Sequence, residues 1–295
     1  MPGSGSSVEV PLGHWPAQQG DITNLEPRVY DMRTPEAYAP VGISQVVTRI
    51  HDARAESTNL GLEDSGFELF ELPSRVSDWF DTDEVMSTYY EECKSLARRV
   101  TGAERVFTYD HLIREPGKQT SGGGLDGSTR VSGAESGGGY VGVVHMDYTA
   151  NTTWAEYLQL HGMRAPANPR RVLALNFWRP VSDVADDNPL ALCDARTIRP
   201  EDLIETVVYG YGADNYSWHD IGIPTYNVKA SSRHRWYYYP RMTPRELLVF
   251  KSYDSDGVVG RTCPHTSFIN PLASPDSPPR KSIELRVLCF VGGEL

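Results

Sequence analysis

From Tyr140 to the C-terminus the sequence breaks into short apolar runs divided by turn residues: "YVGVVHMDYT", "RRVLALNFWRPV", "RWYYYPRM", "LLVFKSYDS", "HTSFINP" and "KSIELRVLCFVG". β-Branched and aromatic residues dominate each run, which predicts strands. One helical pattern, "TTWAEYLQLHG", intervenes. Many strands at short spacing restrict the chain to a mainly antiparallel sandwich or barrel. No internal repeat is visible.

Upstream, "DEVMSTYYEECKSLARRVTG" (83–102) repeats Val85, Tyr89, Cys93, Leu96 and Val100 at helical spacing. Acids lead, Lys94, Arg98 and Arg99 crowd the end, and Gly102 follows, all of which suit a helix and its dipole. "ERVFTYDHLIR" then alternates as a strand does. Residues 1–40 read as a loose N-terminal arm with one short strand near "PRVYDMRTPE". Residues 115–139 are a Gly/Ser-rich surface loop, either a lid or a plain insertion. With no strong linker, residues 1–295 read as a single domain whose core spans 140–291.

The net charge of −11 argues against nucleic acid as a partner, because phosphate binding needs a basic surface. No apolar stretch approaches a membrane span, and the N-terminus has neither a basic start nor an apolar segment of a signal peptide. Cys93, Cys193, Cys263 and Cys289 show no CxxC spacing. Reduced thiols and a cytoplasmic location are the expectation.

Within "VGVVHMDYT", an apolar run enters His145 and Asp147, two apart and so on one face of a strand. That geometry suits a chelate or an ordinary hydrogen-bonded pair. Two histidines and one carboxylate make a mononuclear iron site, with the third ligand drawn from a distant strand. His161 falls in the predicted helix, His219 in a turn-rich stretch, His234 between arginines, and His265 at the opening of a short strand. After His265 a Pro/Ser loop leads into the last strand. There Ile283, Leu285, Val287 and Cys289 form one face, opposite Arg280, Ser282, Glu284 and Arg286. Such a strand is either a solvated edge or a barrel strand offering an Arg-x-Ser pair to a carboxylate.

The order His-x-Asp, later His, then Arg-x-Ser resembles that of iron(II)/2-oxoglutarate-dependent oxygenases. "RVLALNFWRPV", "NPLALCDART", "HRWYYYPRMTPRELLVFKSYDS", "CPHTSFINP" and "RKSIELRVLCF" resemble one mostly fungal group of them, as do "GFELFELPSRVSDWFD" and "VTGAERVFTYDHLIR". That group is related to the cephamycin 7α-methoxylase component and to gibberellin-desaturase-type hydroxylases and desaturases. The similarity spans most of residues 65–291.

The resemblance implies a mainly β fold with flanking α, a double-stranded β-helix (jelly roll, cupin-like). It implies iron(II) held by His145, Asp147 and His265. It also implies 2-oxoglutarate as cosubstrate with O2, and ascorbate as an optional reductant. Arg280 and Arg286 are both candidates for the cosubstrate's distal carboxylate, with Ser282 favouring Arg280. Asn176 and Trp178 share a face and are expected inside the barrel, near cosubstrate or substrate, although ordinary core packing explains Trp178 equally well. Lys251 and Tyr253 share a face by parity, as do His234, Trp236 and Tyr238. The reaction implied is hydroxylation, desaturation or a related C–H oxidation of a small apolar substrate in secondary metabolism. A homodimer is one assembly to consider. The competing readings are a zinc hydrolase, an iron oxygenase without 2-oxoglutarate, and an inactive partner subunit.

Overall fold

A computed structural model describes residues 7–14, 28–31, 44–55, 60–114, 121–123, 129–131, 142–160, 162–209, 222–257 and 259–294. In chain order the first elements are β1 (Ser7–His14), β2 (Arg28–Asp31), β3 (Ser44–Asp52), β4 (Phe67–Glu71), α1 (Thr82–Glu84) and α2 (Tyr90–Thr101). Next come β5 (Arg105–Arg114), β6 (Ser121–Gly123), β7 (Thr129–Val131), β8 (His145–Met146), α3 (Trp154–Leu160), β9 (Arg171–Pro180) and β10 (Leu190–Cys193). The chain ends with β11 (Leu203–Tyr209), β12 (Ile223–Val228), β13 (Trp236–Tyr238), β14 (Glu246–Asp254), β15 (His265–Ser267) and β16 (Ser282–Val291).

Nine strands form one sheet in the order β1-β3-β13-β10-β15-β8-β12-β11-β2, and five form a second in the order β4-β14-β9-β16-β5. The alternation of β9 and β16 gives the smaller sheet two apolar faces. Leu173, Leu175, Phe177, Ile283, Leu285, Val287 and Cys289 meet Cys93, Leu96 and Ala97 of α2 on its outer face. Ala174, Leu288 and Phe290 meet Met146, Ala191 and Trp236 of the larger sheet on its inner face. Trp178, Leu248 and Phe250 likewise join Leu192 and Tyr237. The two sheets enclose a core between them, and the fold is the expected jelly roll with one helical layer outside.

The helix expected over 83–102 is present, with a π-helical turn at Val85–Tyr89 between α1 and α2. Asp81 caps its start by accepting from the Glu84 N–H. Gly102, at φ 69°, ends it in the left-handed region, and its N–H closes on the Arg98 carbonyl. Burying a leucine such as Leu96 contributes roughly 1.5–3 kcal/mol.

Three expectations change. Part of the supposed loose arm is strand: Val8, Val10 and Leu12 alternate into the core, a pattern masked in sequence by the surrounding glycines, serines and prolines. The run containing His145 is strand only at His145–Met146, because the chain bends at Asp147. Within the Gly/Ser-rich stretch, β6 and β7 pair with each other, while the remainder lies outside the described residues. Among the described residues, no helix is long and apolar enough to cross a membrane.

Candidate metal centre

β8 and β15 are neighbours in the larger sheet, and the single residue pair between them is His145 opposite His265. Their rings lie 4.4 Å apart, centroid to centroid. The bend after Met146 swings Asp147 back to the same place, so that its Oδ1 lies 3.6 Å from His145 Nε2 and 4.0 Å from His265 Nε2. One ligating atom from each residue falls within 4.8 Å of the others, a set able to hold a metal ion.

The backbone sets the tautomers. His145 Nδ1–H donates to the Val143 carbonyl at 2.8 Å, and His265 Nδ1–H donates to the Cys263 carbonyl at 3.3 Å. A carbonyl can only accept, so both Nε2 lone pairs are left for the centre. Burial, reinforced by its histidine neighbour, pushes His145 down to about 4, and burial likewise lowers His265 against the pull of Asp147. Burial opposes ionisation of Asp147, but Arg286, His265, His145 and the Asn176 hydrogen bond together hold its carboxyl well below the usual range. Two neutral imidazoles and one carboxylate are the donors a non-haem iron ion takes.

The smaller sheet supplies the surroundings. Asn176 Nδ2 donates to Asp147 Oδ2 at 2.7 Å and to Glu284 Oε1 at 2.9 Å, while its own Oδ1 accepts from Ser252 Oγ at 2.9 Å. Arg286 lies beside both carboxylates, its Nε 3.8 Å from Asp147 Oδ2 and its Nη2 3.6 Å from Glu284 Oε1. Burial raises the pKa of Glu284 in spite of Arg286.

Arg280 precedes β16 rather than lying on it, so strand parity does not place it. It is buried, hydrogen-bonded to the Asn188 carbonyl, with its guanidinium carbon 5.4 Å from the centre of the Trp178 ring. Ser282, at the start of β16, is buried and its Oγ has no hydrogen-bond partner among the described residues. Since β16 runs between β9 and β5, the reading of it as a solvated edge is overturned.

Other candidates settle elsewhere. His161 and His219 lie outside the described residues. His234 Nε2 meets Asp202 Oδ2 at 3.1 Å, while Trp236 and Tyr238 pack in the core, Tyr238 against Phe268. Lys251 and Tyr253 do not share a face, because a bulge lies between them. Lys251 pairs with Leu175 and Tyr253 with Ala174, leaving Ser252 as the extra residue. Lys251 is wholly buried and bound to Asp254 at 3.1 Å, neither a surface cation nor a residue of the centre. Cys263 is a buried free thiol whose Sγ–H donates to the Cys193 carbonyl.

Ser252 and Arg114 went unrecognised in the sequence. Only the bulge turns Ser252 inward. Arg114 stands opposite Ser282 in the β5–β16 register, and its charge acts on His265 and Glu284. Its place at the end of an alternating strand was the only signal.

A partly buried two-histidine, one-carboxylate centre between the sheets of a jelly roll defines a non-haem iron oxygenase. The comparisons with known proteins agree. A family model described as "Oxidoreductase/YMDC permease-like domain" matches residues 18–290. Hydroxylase/desaturase efuI of Hormonema carpetanum is 33% identical over 258 residues, 82% of each chain. Fe(II)/2-oxoglutarate-dependent dioxygenase nvfI of Aspergillus novofumigatus is 31% identical over 252 residues, 83% of each chain. A solved structure of an iron and alpha-ketoglutarate-dependent endoperoxidase, a variant of NvfI, superposes with a TM-score of 0.73 at 27% identity over the whole of both chains. The chain belongs to this family of fungal iron(II)/2-oxoglutarate-dependent hydroxylases and desaturases.

Proposed function

We propose that the protein works as one domain in which His145 Nε2, Asp147 and His265 Nε2 hold iron(II), Arg280 and Ser282 bind the distal carboxylate of 2-oxoglutarate, and a small apolar natural-product intermediate is oxidised. The observation that carries the metal part is the direct opposition of His145 and His265, with Asp147 beside both. When bound, iron and 2-oxoglutarate supply the oxidising power of O2 for C–H cleavage, with succinate and carbon dioxide as coproducts.

The protein's residues do the rest. Val143 and Cys263 present the histidine lone pairs. Arg280, held by the Asn188 carbonyl and lying over the Trp178 ring, offers a buried cation, and the buried Ser282 hydroxyl, two residues on, has no hydrogen-bond partner among the described residues. A buried hydroxyl and a buried guanidinium two residues apart in the chain suit a carboxylate, which would accept from both. Arg286 stands between two carboxylates, 3.8 Å from Asp147 and 3.6 Å from Glu284, and for that reason the cosubstrate is assigned to Arg280. Trp178 lies under Arg280 as a cation–π partner.

Hydroxylation, desaturation or insertion of an oxygen bridge are the outcomes open to the substrate radical, in keeping with the names of the relatives. Secondary metabolism, a cytoplasmic location and a homodimeric assembly complete the proposal, with ascorbate as an optional reductant. The test is succinate formation. Purified protein with iron(II), 2-oxoglutarate and O2 should convert 2-oxoglutarate to succinate, faster when an apolar terpenoid or polyketide extract supplies the substrate. No iron-dependent succinate under any such condition would overturn the proposal.

A further inference from the structure

The two oxygens of Asp147 have different surroundings. Oδ1 faces the histidines, at 3.6 Å from His145 Nε2 and 4.0 Å from His265 Nε2. Oδ2 faces the smaller sheet, where Asn176 Nδ2 donates to it at 2.7 Å and Ser252 Oγ lies at 3.4 Å. Arg286 Nε stands behind it at 3.8 Å. Ser252 Oγ also donates to Asn176 Oδ1 at 2.9 Å, and this bond fixes which end of the amide points at the carboxylate.

We infer that Ser252 and Asn176 are positioning residues that reserve Asp147 Oδ2 for the protein and present Oδ1 alone to the metal. The inference rests on the metal centre proposed above. A carboxylate left free can rotate and chelate through both oxygens, filling a position that cosubstrate or O2 requires. The Asn176 donor on Oδ2, its amide held in place by the Ser252 hydroxyl, opposes that rotation.

The bulge in β14 makes the arrangement available. Its ladder with β9 passes from Lys251–Leu175 to Tyr253–Ala174, and Ser252 enters the gap. The backbone of Lys251 turns instead to Gly66, whose carbonyl accepts from its N–H at 2.8 Å, and to Cys263, whose N–H donates to its carbonyl at 2.8 Å. The Cys263 carbonyl in turn accepts from His265. Buried Asp254, bound to Lys251 at 3.1 Å and to Arg171 at 2.6 Å, clamps the far side. The bulged strand thus touches both the segment that carries a proposed ligand histidine and, through Ser252, the proposed ligand carboxylate.

Anaerobic titration of cobalt(II) into the apo-protein, without 2-oxoglutarate, tests this, because the visible cobalt spectrum reports coordination independently of turnover. Asn176→Ala should weaken cobalt binding by roughly 10–100-fold and alter the spectrum. Ser252→Ala should move both in the same direction by less, and Ser252→Thr, which keeps the hydroxyl, should restore them. If Asn176→Ala does not fold, the Ser252 pair decides alone. Wild-type affinity and spectrum in the folded alanine variants would overturn the inference while leaving the metal centre intact. A wild-type protein that binds no cobalt would overturn the metal centre itself, and the inference with it.

Discussion

His145 and His265 face each other across two antiparallel strands as a directly opposed pair, with ring centroids 4.4 Å apart. Both donate Nδ1–H to carbonyls on their own strand side, so neither Nε2 is needed to hold the fold. Two lone pairs directed at one point, beside an ionised carboxylate, are costly to bury without a cation. The folded protein should therefore gain stability from metal. A hundredfold excess of metal over its dissociation constant stabilises by about 2.7 kcal/mol. Thermal unfolding of wild-type protein should rise with added iron(II) or cobalt(II) and return on chelation, whereas His265→Ala should show no metal-dependent shift.

The two arginines should separate by phenotype. Removing a charge-assisted hydrogen bond costs roughly 1.5–3 kcal/mol, about 10–150-fold in affinity. Arg280→Ala should weaken 2-oxoglutarate by that factor and leave metal affinity alone. Arg286→Ala, which strips a cation from Asp147 and Glu284, should instead change metal affinity. Equilibrium binding of each ligand, measured separately, distinguishes them. An exchange of the two phenotypes would reassign the cosubstrate to Arg286.

Much of this centre was legible in the sequence, for identifiable reasons. His145 and Asp147 stood out as a candidate chelating pair at the end of an apolar run, while His265 was picked from four histidines by the order of the motifs and the family resemblance. The inner face of β16 showed through its alternation, and the burial of Ser282, Glu284 and Arg286 follows from that strand lying between two others. The parity argument placed His145 and Asp147 together, as they are, but a bend and not a continuing strand brings them there. Ser252 was hidden because parity fails at a bulge, and no local pattern in "FKSYDS" announces one. β1 was hidden because a strand of eight residues alternates inside a segment whose neighbours read as loop.

Acid should destabilise the metal-free protein. Burial is the leading cause of a lowered pKa in His14, His145, His234 and His265, bringing His145 down to about 4. Below about 6.5 the unfolded chain takes up protons that the folded chain refuses, so stability falls as pH falls from there toward 4. Asp202 and Asp254, held low against burial by His234 and by Arg171 respectively, extend the loss below the ordinary carboxylate range. Urea denaturation at several pH values should show this slope. Stability that rises on acidification between 6.5 and 4 would contradict the neutral assignment of the histidines.

Asp254→Ala should be among the most destabilising single changes outside the centre. It strands Lys251, whose side chain is 0% exposed, without its carboxylate partner. Breaking such a buried pair costs about 3–5 kcal/mol. A loss of unfolding free energy of less than about 1 kcal/mol on urea denaturation would show that Glu63, 3.8 Å from Lys251, takes over the charge.

The most direct measurement is an anaerobic titration of iron(II) and 2-oxoglutarate into the apo-protein, followed through the weak visible charge-transfer band that appears when the cosubstrate's keto acid chelates the metal. The expected result is a band that saturates near one iron per chain and is absent from His145→Ala and His265→Ala. Arg280→Ala should require more 2-oxoglutarate to reach it. Tight iron binding with no band would contradict 2-oxoglutarate as the cosubstrate, and no iron binding at all would contradict the centre built by His145, Asp147 and His265.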